Sequence, residues 1–273
     1  MNEYIPITYH IFITIILGVI GGITEFFPIS STCHIIILSK FFKFEINEIK
    51  ILNSFIQFGT SLSILLYFKN TFSKLFYSCF IKKRKFTYKN NLSYSHILIS
   101  TIPIIFMEIF VSKYIKFPFN SKNITFPIIL GSILLTLSEI FKKKTKYKSK
   151  NISLLQSFII GCFQCLALWP GFSRSCSTIS IGILIGINQG KSTYFSYIIS
   201  VPIFFGAMIL DICKNIEIIS LHTIPLLFIS FLSSFITSSI FMQKYFKIIS
   251  VCSFIPFIIY RLLLSFIIYL CIY

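Results

Sequence analysis

The chain has 273 residues, 55% hydrophobic and 12% charged, with a mean hydropathy of +0.85. A soluble domain carries about a quarter charged residues, so composition excludes an ordinary water-soluble fold and makes lipid the solvent. The formal net charge is +17, from 25 Lys+Arg against 8 Asp+Glu, and its runs lie between apolar stretches, which fits cytoplasmic loops under the positive-inside rule and not a nucleic-acid surface.

In chain order, apolar stretches predict helices over 5–20, 51–68, 97–111, 124–141, 152–168, 194–212, 224–241 and 250–272. No small-residue cleavage site follows the first, so no cleavable signal is expected. Two shorter apolar pieces, 33–44 and 177–187, each follow a polar motif containing proline. They read as re-entrant helices, because irregular backbone at membrane depth survives only when buried in protein or lining a wet cavity. The fold class is therefore all-α: a polytopic membrane helix bundle with re-entrant helices and an inverted repeat. It forms one membrane domain, 1–273, with halves of roughly 1–110 and 150–273. One basic run comprises Lys69, Lys74, Lys82, Lys83, Arg84, Lys85 and Lys89, and the other Lys142, Lys143, Lys144, Lys146, Lys148 and Lys150. Two predicted spans separate them, which puts both on one side and both polar motifs toward an extracytoplasmic cavity.

The first motif runs Thr24-Glu25-Phe26-Phe27-Pro28-Ile29-Ser30-Ser31-Thr32-Cys33-His34. Pro28 stops the preceding helix, and Ser30, Ser31 and Thr32 sit where the next begins. A helix N-terminus offers unpaired N–H groups to an anion, phosphate above all. Ionisable groups within a membrane segment point to function, since desolvating their charge is costly. Taken alone, His34 is a histidine satisfied inside a bundle and the serines are a helix cap; grouped with Glu25, they read as a site. Ser31 and His34 stand three apart, so a helix places them on one face.

The second motif runs Trp169-Pro170-Gly171-Phe172-Ser173-Arg174-Ser175-Cys176-Ser177-Thr178. The guanidinium fork of Arg174 matches phosphate oxygens two at a time. An ion pair with Glu25, or snorkelling to the interface, is the alternative. Pro28 to Cys33 resembles Pro170 to Cys176 with a one-residue offset, and Gly59 and Gly206 follow at similar distances. Broken helices at matching places in two halves point to a binding site between them. Gln57, Glu108, Glu139 and Asp211 read as inter-helix hydrogen bonders. His10, His96 and His222 read as structural, and Arg261 as snorkelling or internally paired. Cys162 and Cys165 form a C-x-x-C without a second pair, so they read as small apolar residues along with most of the eight cysteines. A carboxylate, a histidine, hydroxyls, helix N-termini and an arginine together point to phosphoryl transfer by positioning and charge stabilisation.

At these motifs the chain resembles the undecaprenyl-diphosphate phosphatase family, also called bacitracin-resistance proteins. The family's first motif, G-x-x-E-G-x-T-E-F-x-P-x-S-S-T-G-H, is matched by Gly18 to His34, and its second, P-G-x-S-R-S-G-x-T, by Pro170 to Thr178. The stretches 161–169, 56–59, 201–211 and 254–261 are also similar, so the resemblance covers essentially the whole chain. It implies two interlocked inverted repeats and hydrolysis of undecaprenyl diphosphate to undecaprenyl phosphate and phosphate. That reaction recycles the lipid carrier for peptidoglycan synthesis and confers bacitracin resistance. It also implies a bacterial inner-membrane location with the site toward the periplasm, a polyprenyl diphosphate substrate, and a homodimer as one form of assembly. A divalent metal, Mg or Ca, is implied, with Glu25 as ligand. By carry-over the catalytic positions are Glu25, Ser31, His34 and Arg174, with Ser30, Thr32, Ser173 and Ser175 binding substrate. The nucleophile lies between Ser31 and His34; His34 is favoured because neutral imidazole is available near neutral pH. Three positions depart from the pattern: Gly21 replaces the family's first glutamate, and Cys33 and Cys176 replace glycines. Cys would be strained at either place if φ were positive. Restoring the carboxylate with Gly21→Glu is expected to raise activity or the metal response. The other reading from the residues is a lipid-phosphate transporter or flippase that uses the same cavity without hydrolysis.

Overall fold

The computed structural model describes residues 7–42, 46–80, 92–111, 124–144, 151–216, 219, 221 and 223–272. These form eleven α-helices and no strand. In order they are α1 (Ile7–Thr24), α2 (Ser31–Phe41), α3 (Ile46–Tyr67), α4 (Lys69–Phe80), α5 (Tyr94–Phe106), α6 (Thr125–Lys144), α7 (Leu154–Gln164), α8 (Arg174–Leu184), α9 (Gln189–Lys214), α10 (Thr223–Val251) and α11 (Ile255–Ile272). Four of them, α3, α6, α9 and α10, are long and apolar enough to cross a membrane, and five shorter apolar helices accompany them. The chain is a multi-pass membrane protein.

The predicted elements correspond to observed ones, with one addition. Helix α4 lies where Lys69 and Lys74 suggested a loop. Its Thr71 and Leu75, one turn apart, are buried, while Phe72 packs into the same cluster as Leu75; an apolar stripe at that spacing makes a surface helix. The rest of the first basic run, from Lys82 to Lys89, lies outside the described residues, as do Lys146, Lys148, Lys150 and His222.

The two halves interlock. In chain order the break between α1 and α2 recurs between α7 and α8, and a long helix, α3 or α9, follows each short one. Helix α10 packs along α1 and α3 of the other half, while α5 packs along α7 and α9. Each half thus completes the wall around the other's broken helix pair. The approach of α3 to α10 depends on Gly59, where a Cβ would come within 2.5 Å of the Phe231 carbonyl. Gly206, its counterpart in the sequence comparison, has nothing within 4 Å of such a Cβ. The two glycines therefore do different work.

Polar side chains inside the bundle tie helices, as expected for Glu139: it accepts from Ser253 Oγ (2.9 Å) and the Phe254 N–H (3.1 Å), capping the start of α11. His96 is structural, accepting from the Ser93 N–H (3.2 Å) at Nδ1 and donating from Nε2 to the Ile152 carbonyl (3.0 Å). Cys162 and Cys165 are free thiols. Arg261 departs from both expectations. It is fully buried, so it does not snorkel, and no carboxylate among the described residues pairs with it.

Candidate active site

Each broken helix pair turns through a serine with left-handed backbone. Ser30, ahead of α2, has φ 70° and ψ 88°; Ser173, ahead of α8, has φ 77° and ψ 119°. Among the described residues these are the only non-glycine positions at positive φ. Such backbone costs about 1–3 kcal/mol each and persists only where its surroundings enforce it. The strain anticipated at Cys33 and Cys176 falls instead three residues earlier, and both cysteines are ordinary helical residues. The turns match residue for residue: Ser30 with Ser173, and Ser31 with Arg174, the first residue of each following helix.

The first turn is held by side chains from across the fold. The carbonyls of Phe26, Phe27, Pro28 and Ser30 accept from Tyr197 Oη (3.1 Å), Ser175 Oγ (3.1 Å), Arg261 Nη1 (3.1 Å) and His34 Nδ1 (2.8 Å), respectively. Carbonyls in a non-helical turn at membrane depth find no water, so these donors are what allow the turn to exist.

Both turns open on one cavity of about 910 Å³. Glu25, Ser30, Ser31 and Thr32 line it from the first turn, and 169–171 with Ser173 and Arg174 from the second. Glu25 and Arg174 are both buried. Ser31 Oγ donates to Glu25 Oε2 in a short hydrogen bond, and Arg174 Nη2 lies 3.8 Å from Glu25 Oε1. Arg174 Nη1 donates to the Ser196 carbonyl (2.8 Å), and the guanidinium stacks 4.8 Å from the Phe204 ring centroid. Nε makes no hydrogen bond among the described residues. The Nε–Nη2 edge of the fork therefore has Nη2 on Glu25, the ion pair anticipated as the alternative for Arg174, and one buried nitrogen, Nε, without a partner among the described residues.

Six of the eight expected site residues thus share one cavity. His34 and Ser175 do not line it. A carbonyl only accepts, so His34 Nδ1 carries the proton it donates to Ser30, and neutral Nε2 accepts from Tyr260 Oη at 2.6 Å, with the rings stacked. Helical spacing placed Ser31 and His34 together, but Ser31 turns to Glu25 and His34 to α11. A second set of lining residues includes Gln57, read from sequence as an inter-helix hydrogen bonder, and Lys50 and Asn53, which the sequence reading passed over. Lys50, Asn53 and Gln57 follow one face of α3, and Gln57 Nε2 reaches Thr32 Oγ1 at 3.4 Å; spacings of three and four residues were the available signal. At the mouth Lys50 pairs with Asp211 (3.7 Å) and Lys214 with Glu108 (2.7 Å). The remaining wall is apolar, from Ile104 and Ile105 of α5 to Pro202, Ile203 and Phe204 of α9.

Gly21 corrects one expectation. A Cβ there would lie 2.3 Å from Cγ2 of Ile56, which is fully buried. Gly21→Glu alone is therefore expected to reduce folded yield and activity, not raise them. Gly21→Glu with Ile56→Ala, which vacates that space, should recover both. Thermal unfolding in detergent alongside turnover checks this; a single variant as stable and active as the parent would refute it.

Fold and cavity define a class: a multi-pass membrane protein of two interlocked halves, with an arginine-bearing polar pocket walled by apolar side chains. The family model described as Bacitracin resistance protein BacA matches residues 14–267, and the chain belongs to that family. It is 54% identical over 263 residues to an undecaprenyl-diphosphatase of Buchnera aphidicola subsp. Baizongia pistaciae (strain Bp), covering 96% of this chain and 97% of that protein. An undecaprenyl-diphosphatase of Buchnera aphidicola subsp. Acyrthosiphon pisum (strain 5A) is 45% identical over 264 residues, covering 96% and 97%. One of Baumannia cicadellinicola subsp. Homalodisca coagulata is 38% identical over 270 residues, covering 96% and 98%.

Proposed function

We propose that this chain hydrolyses undecaprenyl diphosphate to undecaprenyl phosphate and phosphate, returning lipid carrier to peptidoglycan synthesis and conferring bacitracin resistance. Besides family membership, one observation carries this reading: a serine hydroxyl bonded to a buried carboxylate, which is itself paired with a buried arginine, where two helices begin. A transporter needs an anion site but not a nucleophile already paired with a base, so the flippase reading is not favoured.

In the proposed reaction Ser31 Oγ attacks the terminal phosphorus and passes its proton to Glu25. The bond from that phosphorus to the bridging oxygen breaks, and undecaprenyl phosphate leaves with the electron pair. Glu25 gives that proton to the departing undecaprenyl phosphate. Its carboxylate then takes a proton from water, whose oxygen attacks the phosphoserine phosphorus. The bond from phosphorus to Ser31 Oγ breaks, phosphate leaves, and Glu25 returns the proton to Ser31 Oγ. Arg174 holds non-bridging oxygens through Nε and Nη2 as charge spreads over them. The N–H groups opening α2 and α8 add positive potential at the same place. Ser30, Thr32 and Ser173 line the phosphate end, and the walls of α5 and α9 take the first isoprene units. His34 serves by holding Ser30, so the sequence-based preference for it as nucleophile gives way to Ser31.

The reading extends to orientation in a bacterial inner membrane. The cavity mouth lies at the start of α3 and the ends of α5 and α9, whereas Lys69 follows the far end of α3 and Lys142 closes α6. A mouth remote from basic segments faces the periplasm under the positive-inside rule. The homodimer of the resemblance remains an expectation, read by light scattering of the purified protein.

The donor set does not fit a resident metal. Glu25 is the one carboxylate beside the hydroxyls, Ser31 and Arg174 already hold it, and no cluster of three His, Cys, Asp or Glu occurs among the described residues. A magnesium or calcium ion that enters on the diphosphate needs no such cage. Purified protein is therefore expected to carry no stoichiometric metal, and its rate to follow the concentration of the cation–diphosphate complex. Retention of one tightly held ion per chain after dialysis would refute this. Phosphate release from a C15 or C55 isoprenyl diphosphate tests the function itself; binding without release would return the reading to a transporter.

A further inference from the structure

The least expected side chain in the molecule is Arg261 of α11. It is fully buried, and an unpaired buried charge is costly unless its hydrogen-bonding capacity is met. Its capacity is met by neutral oxygens alone. Nε donates to Ser132 Oγ (3.1 Å) and Nη1 to the Pro28 carbonyl (3.1 Å). Nη2 faces the carbonyls of Ile128 (2.9 Å), Phe172 (3.1 Å) and Gly171 (3.3 Å). Pro28 stands two residues before Ser30; Gly171 and Phe172 stand two and one before Ser173. One guanidinium thus grips the turn ahead of both left-handed serines, from the two halves at once. Space is kept for it: a Cβ on Gly131 would lie 2.2 Å from Nη2 and 2.7 Å from the Phe172 carbonyl.

We propose that Arg261 is a positioning residue that clamps the two site turns to each other and so fixes Ser31 and Arg174 at their working separation. The assignment rests on the phosphatase reading only for its effect on rate; the clamp itself is independent of it. A planar fork spans acceptors on two sides, whereas a lysine ammonium has three donors at one point. Arg261→Lys keeps the charge and cannot reach all five oxygens. Arg261 does not line the cavity, so its loss leaves the walls that contact lipid intact.

The test uses the full-length protein in detergent, with Arg261→Lys and Ser132→Ala as variants. Ser132→Ala removes the acceptor of Nε and the Ser132 hydroxyl's bond to the Ile128 carbonyl (2.7 Å) while leaving Arg261 and its carbonyl acceptors in place. It covers the case in which Arg261→Lys does not accumulate as folded protein. Hydrogen–deuterium exchange is followed over 25–33 and 169–176, and kcat and KM over a C15 diphosphate series. In Arg261→Lys, exchange is expected to rise in both turns together by roughly tenfold, and kcat to fall about a hundredfold, as misplacement by an ångström does. In Ser132→Ala both effects are smaller and in the same direction. KM should stay within about threefold of the parent's, as catalytic geometry and not the contacts that bind lipid is disturbed. Exchange that rises in one turn only, or in neither, overturns the clamp. So does a loss confined to KM, or kcat per folded molecule equal to the parent's in both variants. A parent that releases no phosphate would sink the phosphatase reading alone, since exchange still reports on the clamp.

Discussion

Arg174→Ala is expected to lower phosphate release by at least about a thousandfold, or roughly 4 kcal/mol of transition-state stabilisation. The side chain is held by Ser196 at Nη1 and by Glu25 at Nη2, with Nε unbonded among the described residues. Truncation removes the only guanidinium on the cavity among the described residues and leaves Glu25 buried with the Ser31 hydroxyl but no counter-charge. A buried charge stripped of its partner destabilises a protein by about 3–5 kcal/mol, so Arg174→Ala alone would mix lost chemistry with lost fold. Arg174→Lys separates them. It keeps a positive charge beside Glu25 and should preserve the unfolding temperature, yet it offers a point charge where a fork is needed. A loss of about a hundredfold in kcat at near-parental stability is expected from it. Initial rates with C15 diphosphate and thermal unfolding in the same detergent check both. Full turnover in Arg174→Lys would mean that the site needs a charge there and no bidentate grip.

The main outline of this molecule was legible from composition and two motifs, because apolar length and a proline-serine break are local properties. All ten predicted stretches correspond to single helices or helix pieces, and Glu25 and Arg174, with the hydroxyls beside them, were legible as a group because ionisable residues are so rare in apolar sequence. What escaped is what depends on the other half of the fold. Nothing local assigns positive φ to Ser30 and Ser173; donors from Tyr197, Ser175, His34 and Arg261 enforce it at the first turn. Arg261 was passed over for a related reason. An arginine in an apolar helix reads as snorkelling unless its acceptors are known, and four of its five are main-chain carbonyls that leave no trace in sequence. Gly21 shows the same limit from the other side. The missing carboxylate was visible, but the Ile56 methyl that has taken up its space was not.

Ser31→Ala and Glu25→Gln carry the other large effect. In the proposed reaction the two side chains act as one unit, nucleophile and base, and a hydrogen bond joins them. Members of such a unit are not additive when removed together. Each variant is expected to lose about a thousandfold or more in kcat, and Ser31→Ala with Glu25→Gln should be no worse than the poorer single variant. Glu25→Gln also frees Arg174 from its counter-charge, so affinity for an unreactive diphosphate analogue should hold or rise as kcat collapses. His34 supplies the contrast. Its Nδ1 proton holds the Ser30 carbonyl, a contact that an amide can replace. His34→Gln is expected to keep activity within about tenfold of the parent, since one hydrogen bond of this kind contributes about 1 kcal/mol. His34→Ala should lose more. If His34→Gln is as dead as Ser31→Ala, the imidazole takes part in the chemistry and Ser31 is not the sole nucleophile candidate. If Ser31→Ala keeps more than a tenth of parental kcat, the serine mechanism fails outright, and the Ser31–Glu25 contact is only a cap on α2.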